Sequence, residues 1–195
     1  MMRPLVSELI WLIGGVAWFA IRFPHQHRAR KVAVARSVGG RRDQILLGFS
    51  LTGLCIIPLL YLIIRQPRFA DYPPAPWQGW VGLLFMLGAL YLFYQTHQQL
   101  GRNWSVTLDT RTTHKLIASG VYTRVRHPMY SAFWLLAIAQ ALLVPNWIAG
   151  PSGIVGWGIL FFLRVGREER LMLETFGDEY RAYMQRTARV LPWVY

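Results

Sequence analysis

RHPMYSAFWLLAIAQALLVPNWIAGPSGIVGWGILFFLRVGREER, Arg126 to Arg170, decides how this chain is read. Two apolar runs, Met129 to Val144 and Ile148 to Leu163, are separated by Pro145 and Asn146, with Gly150 and Pro151 just beyond. A hydrocarbon core of roughly 30 Å takes about 20 apolar residues as a helix. Runs of this length around a Pro/Gly turn signal predict a tight hairpin of short, tilted membrane helices. The hairpin returns its two charged ends, Arg126-His127 and Arg164 with Glu168 and Glu169, to one face of the bilayer.

Working outward, three more apolar segments precede the hairpin, at Leu5 to Ile21, Gln44 to Ile64 and Trp77 to Tyr94. The expected fold is therefore all-α and integral to the membrane, with five transmembrane helices and a C-terminal interfacial helix carrying Leu171, Met172, Phe176, Tyr180 and Tyr183 among its charges. Gly177 is expected to break that helix. Composition agrees: 54% of the 195 residues are hydrophobic, nine are Trp, and the mean hydropathy is +0.28. These values exceed what a water-soluble domain usually carries. Leu5 to Ile21 lacks a following small-residue cleavage site and reads as a retained span rather than a signal peptide. Residues 1–195 read as a single domain without repeats.

The net charge of +12 is unevenly placed. Seven Lys or Arg fall between Arg22 and Arg42, five between Gln95 and Pro128, and six from Arg164 onward, against only Arg3, Arg65 and Arg68 elsewhere. The positive-inside rule then sets the N-terminus outside and the C-terminus in the cytoplasm. The length and arginine bias suit a prokaryotic cytoplasmic membrane. Anionic lipid head groups are a natural partner for such loops, whereas no room is left for a nucleic-acid recognition fold. The lone Cys55 supports neither a disulfide framework nor a thiolate metal site. His25 and His27 have no nearby carboxylate and His97 stands alone, so no metal is expected. Nucleotide-binding glycine loops and a serine nucleophile elbow are absent.

Chemistry concentrates in the two charged ends. Pro128 after His127 suits an ordinary helix start, and Tyr122 and Tyr130 suit an aromatic belt. Arg164 and Glu168, four residues apart on one helical face, make either a solvated pair worth about 0.2–0.5 kcal/mol or a divided recognition site, the Arg holding an anionic group and the Glu a cationic one. Residue chemistry alone leaves both open.

In this order, LGRNWS from Leu100, HKLIASGVYTRVRHPMYSAFW from His114 and REERLMLETFGDEYRAYMQRTARVLP from Arg167 resemble the isoprenylcysteine carboxyl methyltransferase family, across nearly half of the chain. The resemblance implies a membrane enzyme that uses S-adenosyl-L-methionine, with residues 1–94 supplying three helices and residues 95–195 the cofactor-binding catalytic core. It implies cofactor contacts at His114, Lys115, Leu116, Ile117, Tyr122, His127, Pro128, Met129, Tyr130 and Glu168, with Arg164 on the substrate side. His127 and Arg164 are the expected catalytic pair. Charge matching gives Glu168 the cofactor ammonium and His127, with nearby N–H groups, its carboxylate; Tyr122 and Leu116 pack on adenine. Where the family has Gly two residues beyond the R-H-P-x-Y tyrosine, this chain has Ala132.

The expected reaction is methyl transfer to a lipid-like acceptor, foremost the α-carboxylate of a prenylated cysteine. A phospholipid amine or a small thiol is the alternative acceptor, and an amine would need a base to take its proton. Two readings of other classes compete. One is an NADPH-dependent membrane reductase, since sterol reductases end in a similar layout with more spans. The other is a non-enzymatic membrane protein.

Overall fold

The computed structural model describes residues 2–29, 34–37, 40–101, 109–111 and 116–192. Its α-helices, in chain order, are α1 (Pro4–Ala29), α2 (Arg41–Leu51), α3 (Ile57–Ile64), α4 (Gln78–Leu100), α5 (Pro128–Leu143), α6 (Ser152–Phe176) and α7 (Asp178–Arg186). A π-helical turn at Thr52–Ile56 joins α2 to α3. Among the described residues, three helices are long and apolar enough to cross a membrane: Pro4–His25, Arg41–Ile64 and Gln78–Leu100. α5 is apolar but has only 16 residues, and α6 extends its apolar first half into a charged second half.

Several boundaries differ from the sequence expectation. α1 continues through Pro24 into the basic segment, because His25 is buried and packs edge-on against His97 of α4, with ring centroids 5.1 Å apart. His97 accordingly does not stand alone; its Nδ1 also lies 2.9 Å from the Phe93 carbonyl oxygen. The all-α expectation gains a two-stranded antiparallel ribbon, Val34–Ser37 (β1) against Asp109–Arg111 (β2), with Ser37 opposite Asp109. That pairing ties the two basic loops to the same end of the bundle.

The connection between α5 and α6 is longer than a two-residue turn. It runs from Val144 to Pro151 because Asn146 organises it: its Oδ1 accepts from the Ile148 and Ala149 amides, and its Nδ2 donates to Asp71 Oδ1 (2.7 Å) and the Pro67 carbonyl (3.1 Å). A buried Asn that satisfies both ends of its amide fixes a turn that Pro and Gly alone only permit.

Packing divides the bundle into two sides. α4 and α5 form its most extensive helix pair, and α1 lies across both. Trp18 of α1 stacks on Phe93 of α4, centroids 3.5 Å apart, above the fully buried Ala89 and Ala132. On the other side, α2 and the π-helical turn pack on α6. There a Cβ on Gly156 would meet the Gly53 Cα at 3.1 Å, so small residues allow the backbones to approach. Gln140 of α5 joins the sides by donating to the Gly53, Ala149 and Gly150 carbonyls at 3.0–3.1 Å. Between α1 and α2–α3, the bundle is left hollow.

Candidate active site

A cavity of about 640 Å³ fills this hollow and reaches the end of the bundle that carries the basic loops. Its charged pole is lined by Arg126, His127, Tyr130, Arg164 and Glu168, and its apolar limb by Trp11, Val16 and Phe19 of α1 facing Leu51, Leu54 and Leu59. The volume lies in the range of small-molecule sites.

Local structure aims the pole. Pro128 occupies the first turn of α5, so His127 is held at the helix mouth in a non-helical conformation. The segment after α7 then runs beside it: the Arg126 amide donates to the Ala188 carbonyl (2.9 Å), the His127 amide to the Arg189 carbonyl (3.0 Å), and the Ala188 amide to the Arg124 carbonyl (3.1 Å). Gly177, at φ 54°, adopts the left-handed conformation that separates α6 from α7. α7 is therefore turned back across the site. Its Tyr180 and Tyr183 are buried, and the Tyr183 hydroxyl donates to the Tyr122 carbonyl at 2.7 Å. Tyr122 and Tyr130 are buried too, which removes them from an aromatic belt.

Adjacent glutamates on α6 face different partners because consecutive helical residues point about 100° apart. Glu169 Oε1 accepts from Arg126 Nε (2.6 Å) and Arg189 Nε (3.1 Å), and its Oε2 from Arg189 Nη2 (2.7 Å). His127 Nε2 lies 3.4 Å from Glu169 Oε1, an ion-pair separation without the alignment of a hydrogen bond. Burial alone would raise the Glu169 pKa, but its contacts with His127, Arg189 and Arg126 outweigh burial and hold the carboxyl below the usual range. Glu168 is the more open, its side chain 27% exposed against 6% for Glu169. It accepts from the Tyr130 hydroxyl, lies 3.7 Å from His127 Nδ1 and 3.9 Å from Arg164 Nε. Burial pushes the Tyr122 phenol up; Tyr183 is pushed up to about 12 by burial against the opposing pull of Arg126 and Arg186. These phenols stay protonated.

Leu116, Ile117, Tyr122, His127, Pro128, Met129, Tyr130, Arg164 and Glu168 all line this one cavity. His114 and Lys115, like Arg102 to Ser105, lie outside the described residues. The His127 geometry departs from its expected use: both ring nitrogens face carboxylates and its backbone amide is taken by Arg189.

Sequence reading missed Asp43. It is completely buried, and its Oδ2 lies 3.6 Å from Arg164 Nη1. It also missed the hub formed by Glu169 with Arg126 and Arg189. The available signal was scarcity: with nine acidic residues against 21 basic ones, an Asp inside the basic start of α2 stands out.

Comparison with known proteins adds the following. The model of the isoprenylcysteine carboxyl methyltransferase (ICMT) family matches residues 80–174. A probable protein-S-isoprenylcysteine O-methyltransferase from Oryza sativa subsp. indica is 24% identical over 170 residues, covering 86% of this chain and 85% of the relative. The protein-S-isoprenylcysteine O-methyltransferase of Homo sapiens is 30% identical over 156 residues, covering 78% of this chain and 55% of the relative. A solved structure of the eukaryotic intramembrane Ras methyltransferase ICMT, without a monobody, superposes with a TM-score of 0.53 at 21% identity, covering 80% of this chain and 55% of that one. The chain thus spans about half the length of the human and the solved relatives, and most of the rice one.

Proposed function

We propose, for a chain that belongs to the isoprenylcysteine carboxyl methyltransferase family, that the cavity takes S-adenosyl-L-methionine at its charged pole and a lipid-like acceptor along its apolar limb. The methyl group passes to the acceptor's carboxylate, the α-carboxylate of a prenylated cysteine. The observation that carries this reading is the continuity of pole and limb in a single cavity.

When bound, S-adenosyl-L-methionine supplies an electrophilic methyl group on its sulfonium. The donor set fits that molecule: Glu168 is a partly open carboxylate suited to an ammonium, and Tyr122 and Leu116 offer surfaces for a purine. His127, lying between Glu168 and Glu169, holds the two carboxylates in place. The donor's own carboxylate then falls to cations of the pole, Arg126 among them. Arg164 takes the acceptor's carboxylate at the junction with the limb. A carboxylate oxygen attacks with its own lone pair, so no residue must remove a proton, and alignment supplies most of the rate.

Charge balance favours an anionic acceptor. Among the described residues, Arg22, Arg126, Arg164 and Arg189 stand in and around the cavity against Asp43, Glu168 and Glu169, so its surroundings carry no excess of negative charge. The methyl donor adds one net positive charge, which an acceptor carboxylate neutralises and a protonated amine doubles. In a site of low effective dielectric that difference is large. The limb also meets the lipid: its wall residues Val16 and Leu51, on opposite helices, are 71% and 51% exposed. The acceptor enters sideways between α1 and α2–α3.

In the same reading α5 and the first half of α6 complete five spans, with the N-terminus outside, the C-terminus cytoplasmic and the protein in a prokaryotic cytoplasmic membrane. The ribbon joining both basic loops supports their common side. Labelling of single engineered cysteines by an impermeant thiol reagent tests this; modification of the β1 segment from outside intact cells contradicts it.

The reaction is tested by supplying the protein in lipid with methyl-labelled S-adenosyl-L-methionine, a prenyl-cysteine and phosphatidylethanolamine, followed by alkali. Volatile label released by base is the expected result and identifies a methyl ester. Base-stable label in the phospholipid would replace the carboxylate with an amine as acceptor, and absence of transfer to either would overturn the acceptor assignment.

A further inference from the structure

Asp43 sits behind Arg164 as seen from the cavity: Arg164 lines the cavity, whereas Asp43 does not and is completely buried. Among the described residues neither Asp43 oxygen accepts a hydrogen bond, and the guanidinium of Arg164, 3.6 Å from Oδ2, is its ion-pair partner. A buried carboxylate without that cation would be strongly unfavourable. Arg164 meanwhile stands between two acids, Asp43 on α2 through Nη1 and Glu168 on its own helix through Nε at the longer 3.9 Å.

We propose that Asp43 is a positioning residue that competes with Glu168 for Arg164 and so keeps the Glu168 carboxylate available for the methyl donor's ammonium. This rests on the proposed function. Without Asp43, the Arg164 guanidinium would be able to close on Glu168, which its i, i+4 spacing puts within reach, leaving Glu168 neutralised by its own helix. Asp43 draws the guanidinium towards α2 and away from that pairing. The three-residue arrangement Asp43–Arg164–Glu168 thereby divides the pole into a donor half and an acceptor half.

The full chain in lipid nanodiscs tests this, with S-adenosyl-L-methionine binding measured by calorimetry for the wild type, Asp43→Asn and the double variant Asp43→Asn/Arg164→Met. Absence of binding to the wild type overturns the proposed function and this inference with it. Given wild-type binding, Asp43→Asn is expected to weaken it roughly tenfold, the scale of one charge-assisted hydrogen bond. Removing Arg164 as well is expected to restore donor affinity, since the guanidinium that would close on Glu168 is gone. Melting temperatures of the three proteins are read alongside, because removing both partners also relieves the buried charge that Asp43→Asn leaves on Arg164; an affinity loss that merely follows a melting-temperature loss overturns the proposal. Unchanged affinity in Asp43→Asn, or a loss that the double variant fails to restore, overturns the proposal. So does a single variant that fails to fold, with or without the double, because Arg164 then has not turned to Glu168.

Discussion

The two ends of the bundle solve the same problem, buried polar groups, in opposite ways. At the end away from the basic loops, Asn146 engages both ends of its amide, Asp71 accepts from the Tyr61 hydroxyl (2.8 Å) and Asn146, and Gln78 Nε2 donates to the Tyr72 hydroxyl (2.8 Å) and the Leu142 carbonyl (3.2 Å). Neutral groups, together with the Asp71 carboxylate and the Arg65–Glu8 ion pair (2.7 Å), close short contacts on one another there. At the basic-loop end, formal charges meet at 3.4–3.9 Å around His127, Arg164, Glu168 and Asp43, and they border the cavity. Satisfied networks make rigid corners. Charges held at longer range beside a void are what the proposed donor site draws on.

The strongest way to break this contrast is through Glu169, whose ion pairs with Arg126 and Arg189 are tightly closed. Glu169→Ala leaves Arg126 and Arg189 without their carboxylate and is expected to cost about 3–5 kcal/mol, seen as a large drop in melting temperature in detergent; a drop no greater than that of a surface variant would show the hub to be incidental. Glu168→Gln should do the reverse, reducing S-adenosyl-L-methionine affinity about 10- to 100-fold, on the scale of 1.5–3 kcal/mol, while the melting temperature stays close to wild type. If its affinity is unchanged, the ammonium role is wrong.

At the opposite end, Asn146→Ala is expected to lower stability by about 1–3 kcal/mol and leave donor affinity untouched. A donor-binding defect in that variant would mean that the two ends are coupled. The smallest effect is with pH. Because the folded-state pKa of Glu169 is depressed, its stabilisation is fully present above the ordinary carboxylate value of roughly 4.3 and is lost as pH falls below it. The melting temperature should hardly change between about pH 7 and 5, then fall, and Glu169→Gln should flatten that fall. An equal slope in both proteins would assign the acid sensitivity to other groups.

Much of the fold was legible because membrane helices announce themselves locally. Leu5 to Ile21, Gln44 to Ile64 and Trp77 to Tyr94 each fall almost wholly within one continuous helix, the second interrupted only by a π-helical turn. The hairpin's residue types pointed to a turn, but Asn146 lengthens it through a partner 75 residues earlier, Asp71, and no local pattern encodes that. The site was legible in its faces and obscure in its pairings. Glu168 and Arg164 fall on one helical face by spacing alone, so their convergence on the cavity could be read. That the neighbouring Glu169 binds Arg126 and Arg189 depends on the chain after α7 returning beside His127, a contact between segments some 60 residues apart. Asp43 was missed for the same reason, since its pairing with Arg164 exists only after α2 packs on α6.

The most direct measurement is a structure of the protein in lipid with S-adenosylhomocysteine, the demethylated donor. The account predicts the ligand's amino group within hydrogen-bond distance of a Glu168 carboxylate oxygen and its thioether sulfur facing the junction with the apolar limb near Arg164. A ligand bound elsewhere, with its ammonium remote from Glu168, would contradict it.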